Sequence, residues 1–501
     1  FYNMFVNDDW KLSQNVTLNL GLRWEIPLPP TWLLDNATCY FDVSGGRNNP
    51  KHVVPKGFPI DSPFITGGNH ALSVIPFEER SGRTCVPAHY KDFAPRLGLA
   101  WRMFGDNKTV LRIGAGLSYD GVIGSFQVNE GDVGRFAGSV TARQTRGTTP
   151  LYFIGKFNDL PTVAQFRVQP VNNYLRSAGS SQSGQIYNYN LSLQREVLRA
   201  TRLEVAYVGN TSRHMRNVRA WNVAMPAGYP IQLSTGETLI ASGTQEQRRP
   251  YPLVGANIMT NFDGLGYYNS LQVKLDRRFQ SGLAFTTGYT YGSVFLLNTQ
   301  GLYFSGVQNE FDRSGLKWKP RWDRTYTCFA SWVWQLPLFR SATGLRRTFL
   351  GGWETSSIIS LASGAPFGVI VSRDIYDQGS RHLLLPDRAC NGNLPSGQRK
   401  VDHYYDTSCF VLPQSGKLGN SAMLPLRGDA VAMVDLGLHK AFSIGEGKLI
   451  DFRTEMFNAF NNTIFDSPGG NAQDAIDGTS AGRVTSGAAP RQIQFSFRFI
   501  F

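Results

Sequence analysis

The chain has 501 residues, of which 42% are hydrophobic and 13% aromatic, and 50 basic residues face 37 acidic ones for a net charge of +13. Mean hydropathy is −0.23, and no run of 18 apolar residues occurs, which excludes a transmembrane helix. A transmembrane β-barrel is not excluded by the lack of such a run, because its strands alternate apolar and polar residues. The basic residues form no tract longer than a pair, so nucleic acid is not an expected partner. Anionic lipopolysaccharide, an anionic ligand or a solvated surface accounts better for such a scattered excess.

Period-two alternation recurs along the whole chain. In NVTLNLGLRWE the apolar residues from Val16 to Trp24 occupy alternate positions, and LRIGAGLSY and LIDFRTEMF follow the same pattern. Each segment is about ten residues long, the length that a tilted strand needs to cross a bilayer. In chain order the pattern predicts about 13 strands, near 1–10, 16–25, 93–104, 109–119, 186–198, 201–210, 267–279, 282–291, 324–336, 353–362, 431–442, 449–460 and 491–501.

The connectors between these strands alternate between two sizes. Short ones include KLSQ, GDNK and SIGEGK. The connector Pro337–Gly352 is of intermediate length and occupies the position of a short connector in the alternation. A β-sandwich has shorter strands and shorter loops than these. The pattern therefore predicts an all-β fold, a transmembrane antiparallel β-barrel with short periplasmic turns and long extracellular loops. The predicted long loops span roughly 26–92, 120–185, 211–266, 292–323, 363–430 and 461–490.

The closing segment RQIQFSFRFIF places an aromatic residue at every second position. Its apolar side needs no protein cover if lipid surrounds the barrel, although packing against another element is the alternative. An odd strand count that ends in the periplasm starts outside the cell, whereas single-chain bacterial barrels normally have even counts. We therefore expect residues 1–501 to be the carboxy-terminal portion of a larger barrel. The terminal phenylalanines also resemble the signal that outer-membrane proteins show to the barrel-assembly machinery: Phe495, Phe497, Phe499 and Phe501.

The five cysteines show no C-x-x-C spacing, so the zinc and thioredoxin patterns are missing. Cys39 and Cys85 lie in one long connector, and Cys390 and Cys409 lie in another. Two local disulfides that hold these loops in an oxidising compartment are predicted. Cys328 lies within a strand pattern, where a small packed side chain is expected.

Five stretches of the sequence carry a resemblance to a known family: FVNDDWKLSQNVTLNLGLRWE, YNSLQVKLDRRFQSGLAFTTGYTYGS, LGGWETSSIISLASGAPFGV, VDLGLHKAFSIGEGKLIDFRTEMFNAFN and RVTSGAAPRQIQFSFRFIF. They resemble the barrel of Oar-like TonB-dependent outer-membrane receptors, the large receptors with a carboxypeptidase-regulatory-like amino-terminal domain that are abundant in Acidobacteria. The resemblance implies a 22-stranded barrel with a plug domain inside it and a TonB-interacting segment ahead of the plug. Residues 1–501 contain neither a recognisable plug nor the regulatory domain.

The same resemblance implies energy-coupled uptake of a large ligand such as a siderophore, an oligosaccharide or a peptide, with no cofactor. The implied partners are outer-membrane lipid and lipopolysaccharide, the TonB complex through the absent amino-terminal region, the barrel-assembly machinery and an unidentified extracellular ligand. Charges on the polar strand faces are candidate ligand or plug contacts. The alternative is that they hydrate the lumen and pair with one another. The candidates are Arg23, Glu25, Arg112, Arg195, Lys274, Asp435, Asp451, Arg453 and Glu455.

Catalytic motifs are weak, and an enzyme is not expected. GTSAG places Ser480 in a G-x-S-x-G pattern, but a nucleophile elbow needs a strand before it and a helix after it. The seven histidines show no metal-ligand spacing. A passive porin-like channel and a barrel-anchored surface adhesin or enzyme remain the alternative functions. The aromatic loop DHYYDTSCF suits either ligand contact or loop packing.

Overall fold

The structure is a computed structural model that describes most of the chain. It covers residues 2–28, 40–57, 76–80, 82, 89–106, 108–120, 174–176, 183–233, 235–252, 257–297, 308, 317–378, 384–445, 447–469 and 473–501. The predicted bond between Cys39 and Cys85 lies outside these residues. Among the described helices none is long and apolar enough to cross a membrane.

Thirteen long antiparallel strands form one sheet, and each pairs with the next along the chain. The thirteen predicted strands are therefore confirmed. In chain order the strands are β1 Tyr2–Lys11, β2 Val16–Ile26, β3 Asp92–Met103, β4 Thr109–Asp120, β5 Gly184–Leu198, β6 Thr201–Trp221, β7 Asn257–Gln280, β8 Leu283–Leu297, β9 Tyr326–Gln335, β10 Glu354–Ala362, β11 Val431–Gly445, β12 Lys448–Phe457 and β13 Gln492–Ile500.

The pairing register shows which residues of neighbouring strands have their side chains on the same side of the sheet. Gly21 pairs with Arg96, Arg96 with Gly116, and Gly116 with Asn188. Because side chains alternate along a strand, the residues between them share the opposite side. We call these two sides the polar face and the apolar face. The apolar face includes large exposed side chains on every strand from β1 to β9, while the polar face carries glycine, serine, asparagine and charged residues.

The sheet does not close on itself within the described residues. β1 pairs only with β2, and β13 pairs only with β12. All residues of both edge strands are exposed, including Phe497 at 72%. Unpaired strand edges of this length seek another strand. The sheet is therefore open at both edges within the described residues.

A glycine on the polar face shows why small residues recur there. A Cβ on Gly288 would collide with the ring of Phe329, which is its partner on the next strand. An aromatic ring that covers a strand glycine protects the backbone and fixes the register. Gly288 therefore lets the β8–β9 pair form without displacing the Phe329 ring.

Three strands, β6, β7 and β8, extend beyond their predicted ends at the long-loop side. β6 and β7 remain paired up to Trp221 and Asn257, with irregular register between Ser212 and Asn217, so the predicted connector 211–266 is wrong over much of its length. Beyond about residue 210 the sequence no longer alternates, because no apolar side is required there. Backbone hydrogen bonds continue without that pattern, and periodicity therefore missed them.

Smaller elements lie in the long connectors. One three-stranded sheet contains Tyr40–Asp42, Lys51–Val54 and Phe77–Glu79, and another contains Pro366–Ile370, Leu426–Arg427 and Gln473–Ala475. Two hairpin-like pairs join Pro230–Gln232 to Thr238–Ile240 and Asp387–Arg388 to Phe410–Val411. Tyr174–Arg176 pairs with β7 in parallel. Short 3-10 turns occupy Ser396–Gln398 and Thr407–Cys409.

A helix, α1 Gly344–Leu350, lies in the connector between β9 and β10. The sequence predicted no helix, since seven residues are too few to show a helical period. Gly344 and Gly352 both have positive φ, which suits glycine at the start and end of a tight segment.

Candidate functional site

Eight of the nine candidate charges lie on the polar face. The register pairs Glu25 with Asp92 on the face of Arg96, and it pairs Asp435 with Ile358 and Asp451 with Arg498. Arg195 is the exception, because it pairs with Leu203 and Thr109 on the apolar face. Its Nη1 donates to the Thr109 hydroxyl at 3.3 Å near the short-turn end of the sheet. The polar face of β5 carries Asn188, Asn190, Ser192 and Gln194 instead, and the polar run QRE hid this alternation.

Charges of the polar face pair with close neighbours over β2 to β7. Arg23 Nε lies 3.0 Å from Glu25 Oε1, and Glu25 is buried. Arg112 Nη1 donates to Gln194 Oε1 at 2.6 Å. Lys274 Nζ lies 3.9 Å from Asp276. These contacts agree with the alternative that the charges pair with one another along the wall.

A second charged group joins β10, β11 and β12. His439 bonds to the carboxylate of Asp451, which also lies 3.3 Å from Arg453 Nε. Glu354 approaches the same imidazole at 3.8 Å. Glu455 accepts a hydrogen bond from the amide of Gln494 on β13. This group holds both signs of charge, so it offers donors and acceptors to a polar occupant.

The polar face forms an open concavity of about 690 Å³ between β7 and β12. Lys274, Asp435 and Glu455 line it, so the fold brings three of the candidates together from strands that are far apart in sequence. Asp435 also accepts a hydrogen bond from the backbone N–H of Asn458 at 2.8 Å. The concavity is wide, open and mixed in charge.

The long connectors pack together into a cap at one end of the sheet. Its first cluster surrounds Tyr251 in the β6–β7 connector and receives Val43 from the β2–β3 connector. Arg47 reinforces that contact, because its guanidinium donates to the carbonyls of Pro250 and Arg249, both at 3.1 Å. Two loops separated by about 200 residues in sequence are thereby joined.

Ion pairs also hold the β10–β11 connector, one to a neighbouring connector and one within itself. Asp323, fully buried between β8 and β9, lies 2.7 Å from the Arg427 guanidinium in the β10–β11 connector. Asp429 lies 2.8 Å from Arg399. The RGD sequence 427–429 therefore serves internal pairing. Sequence reasoning missed these residues, since loop ion pairs follow no period.

An aromatic core lies beneath the β10–β11 connector. Tyr404 and Tyr405 are each 1% exposed and pack on Phe367 and Phe410 with ring centroids 5.7 to 6.0 Å apart. Of the two interpretations of the DHYYDTSCF loop, ligand contact and loop packing, the structure therefore supports loop packing. Cys409 belongs to this core and is disulfide-bonded to Cys390. Asp406 lies close to both sulfurs, but the disulfide leaves no thiolate for a metal.

Two carboxylates of the cap have opposite environments. Burial raises the pKa of Asp474, although the backbone N–H of Gly482 and the hydroxyl of Tyr405 donate to it at 2.5 and 2.8 Å. Burial also works against ionisation of Asp477, but hydrogen bonds from Ser372 and Arg373 prevail and lower its pKa to about 2. Burial raises the pKa of Tyr404 to about 12, and the nearby Asp429 adds to that shift.

The remaining motif, around Ser480, lies in an exposed turn of the cap. Gln473–Ala475 precedes it, and a turn rather than a helix follows it over residues 481–482. The surroundings of an elbow are therefore missing at this position.

The family described as "outer membrane beta barrel domain" matches residues 1–494. No curated protein sequence matches the chain. Among solved structures, the chain is similar to the outer membrane transporter YddB from Escherichia coli at 8% identity and a TM-score of 0.47, covering 100% of this chain and 45% of that one. It is similar to FpvA of Pseudomonas aeruginosa bound to pyoverdines at 10% identity and a TM-score of 0.43, covering 100% and 38%.

The siderophore receptor PiuA from Acinetobacter baumannii is a further structure of this kind, at 7% identity and a TM-score of 0.42, covering 100% of this chain and 43% of that one. This chain therefore spans less than half the length of each of these three structures.

Proposed function

This chain belongs to the outer membrane beta barrel domain family, and on that premise we propose that it is the carboxy-terminal part of the barrel of an energy-coupled receptor that takes up a large ligand. It is an integral protein of the outer membrane. In such a barrel the apolar face contacts lipid and the polar face lines the lumen. The cap of long connectors then lies outside the cell, and the short turns lie in the periplasm.

The observation that carries this proposal is the open sheet. Within the described residues the edges of β1 and β13 are unpaired, which supports a complete barrel of more than thirteen strands. Large outer-membrane barrels hold either an aqueous channel at 16–18 strands or a plugged lumen at 22. The resemblance to Oar-like receptors favours the plugged kind, with energy delivered through TonB.

The cap and the wall suit a ligand with polar groups of both signs. The wall offers Lys274, Asp435 and Glu455 in one concavity, and hydrogen bonds and an ion pair join the connectors of the cap to one another. Preorganised loops lose less entropy when they bind. A siderophore, an oligosaccharide or a peptide matches this chemistry.

Ion conductance of the full-length protein in planar lipid bilayers tests the proposal without knowledge of the ligand. We expect a plugged receptor to conduct no steady current and to bind the purified carboxy-terminal domain of TonB. A stable open conductance together with no TonB binding would contradict the proposal and establish the passive channel instead.

A further inference from the structure

The connector between β9 and β10 differs from the other short turns because it packs against the lipid-facing side of the sheet. The ring of Phe349 in α1 lies 6.2 Å from that of Phe442. Trp353 packs edge-on against Phe442 and Phe452 at 6.3 and 6.1 Å. Phe452 pairs with Phe497 on the apolar face, which fixes the side of the sheet on which this connector lies.

Lys440 holds the connector in that place. This lysine lies on the apolar face, is only 3% exposed, and donates from Nζ to the carbonyl of Gly351. Its ammonium also lies 5.2 Å from the Trp353 ring centroid and 4.9 Å from that of Phe442. A buried cation needs such partners, so the connector is fixed to the wall rather than a loose turn.

The outer surface of the connector is apolar and fully open. Leu345 and Phe349 are one turn apart on α1, and Leu338 and Phe339 precede it. These four side chains are exposed by 46 to 76%. They continue the lipid-facing surface of β11 and β12 toward the periplasmic edge of the membrane.

The same segment is strongly basic. Between Leu336 and Trp353 the sequence contains Arg340, Arg346 and Arg347 and no acidic residue. Arg346 and Arg347 are exposed, and neither guanidinium has a partner within the part of the chain that the structure describes. Arg340 donates only to the carbonyl of Gln335, at 3.4 Å. Apolar side chains beside unpaired arginines are typical of helices that lie in a membrane interface.

We propose that this connector is a phospholipid-binding foot, in which Arg340, Arg346 and Arg347 bind the phosphate of an anionic glycerophospholipid in the periplasmic leaflet. Leu345 and Phe349 insert between its acyl chains. Arginine matches phosphate geometry with two parallel hydrogen bonds. The proposal rests on membrane location and on the side of the short turns, and it is independent of what the barrel transports.

Lipid fits this surface better than a periplasmic protein does. The exposed apolar side chains lie on the side of the sheet that the bilayer covers, and they are continuous with residues that lipid must already contact. A protein partner would have to displace that lipid. The short turns at Lys11, Arg199 and Lys448 also expose apolar side chains, namely Leu12, Leu198 and Ile444. Each has one basic residue at the turn where the β9–β10 connector has three arginines, so these turns provide an internal comparison for the arginines.

The test uses the full-length protein extracted in detergent, with dioleoyl phosphatidylglycerol and dioleoyl phosphatidylcholine as the two lipid probes and native mass spectrometry as the readout. The foot variant is Arg340→Gln, Arg346→Gln and Arg347→Gln together. The matched control is Lys11→Gln, Arg199→Gln and Lys448→Gln, which removes the same charge from the same side of the membrane. Heat-modifiable migration on gels verifies that each variant is folded.

We expect the foot variant to lose phosphatidylglycerol binding by on the order of tenfold or more, since each arginine near an anionic surface contributes roughly fivefold. Phosphatidylcholine binding by the foot variant should be unchanged, and so should phosphatidylglycerol binding by the control variant. An equal loss in the control, or unchanged phosphatidylglycerol binding in the foot variant, would overturn the proposal. If the triple variant does not fold, Leu345→Gln with Phe349→Gln replaces it. Undiminished phosphatidylglycerol binding by that double variant would also overturn the proposal.

Discussion

The guanidinium of Arg248 in the β6–β7 connector bonds to Asp377 in the β10–β11 connector and so joins two of the long connectors. Its Nη2 lies 3.0 Å from Asp377 Oδ2 and 2.9 Å from the carbonyl of the same residue. Its Nη1 donates to the carbonyls of Met225 at 2.6 Å and Tyr376 at 2.9 Å. The Arg248 side chain is 7% exposed and that of Asp377 is 73% exposed. The carbonyl contacts therefore matter more than the exposed ion pair.

Arg248→Ala should separate the β6–β7 connector from the β10–β11 connector. The change removes the arginine donor from the carbonyls of Met225 and Tyr376, at a cost of roughly 1–3 kcal/mol. We expect faster proteolysis of the cap on intact cells. Asp377→Asn is the control, because it removes only the exposed charge and should change the rate little. Equal rates for both variants would show that the carbonyl contacts do not hold the connectors together.

The disulfide between Cys390 and Cys409 should stabilise the cap locally. It closes a loop with a sequence separation of 19, and bonds of this kind typically contribute about 2–4 kcal/mol. Replacing both cysteines by serine is expected to expose the aromatic core to protease while the barrel still migrates as folded. Cys328→Ser is the control, since that thiol is unpaired. Undiminished protease resistance of the double variant would contradict this role.

Asp477 should make cap stability fall at acidic pH. Its folded pKa of about 2 lies below the ordinary value near 4, so its stabilisation is fully present above about pH 4. It is lost as pH falls toward about 2, and the shift corresponds to about 2 kcal/mol. Amide hydrogen exchange at Ser372 and Arg373, which donate to this carboxylate, measures it. In Asp477→Asn these two amides should be less protected from exchange at neutral pH, and their protection should depend less on pH.

Sequence alone predicted the wall well and the cap poorly. Residues such as Leu20, Leu97 and Phe497 must face lipid, and that requirement imposes a period of two that can be counted. Arg248, Asp323 and Asp474 are fixed by contacts with residues far away in sequence, which no local pattern encodes. Arg195 was assigned to the polar face because charge alone does not reveal strand phase near a turn. Register with Leu203 places it on the other side.

The closing strand allows a sharp test of its two faces. Phe497→Arg places a charge on the apolar face, where Phe497 packs on Phe452 at 4.9 Å. An arginine facing lipid costs roughly 2–4 kcal/mol at the bilayer centre, so the folded fraction in the outer membrane should fall. Ser496→Arg is the neighbouring control on the polar face and should be tolerated. Heat-modifiable migration measures both, and the reverse order would invalidate the assignment of the faces.

The orientation of the cap and the short turns is tested most directly by labelling single introduced cysteines on intact cells with a membrane-impermeant maleimide. Val401 lies in the cap and is 50% exposed, whereas Lys448 lies at the short turn between β11 and β12. The unmodified protein supplies the background for its native cysteines. We predict that Val401→Cys reacts from outside and that Lys448→Cys reacts only after the outer membrane is permeabilised. Reaction of Lys448→Cys on intact cells, with Val401→Cys protected, would contradict an extracellular cap above the lumen.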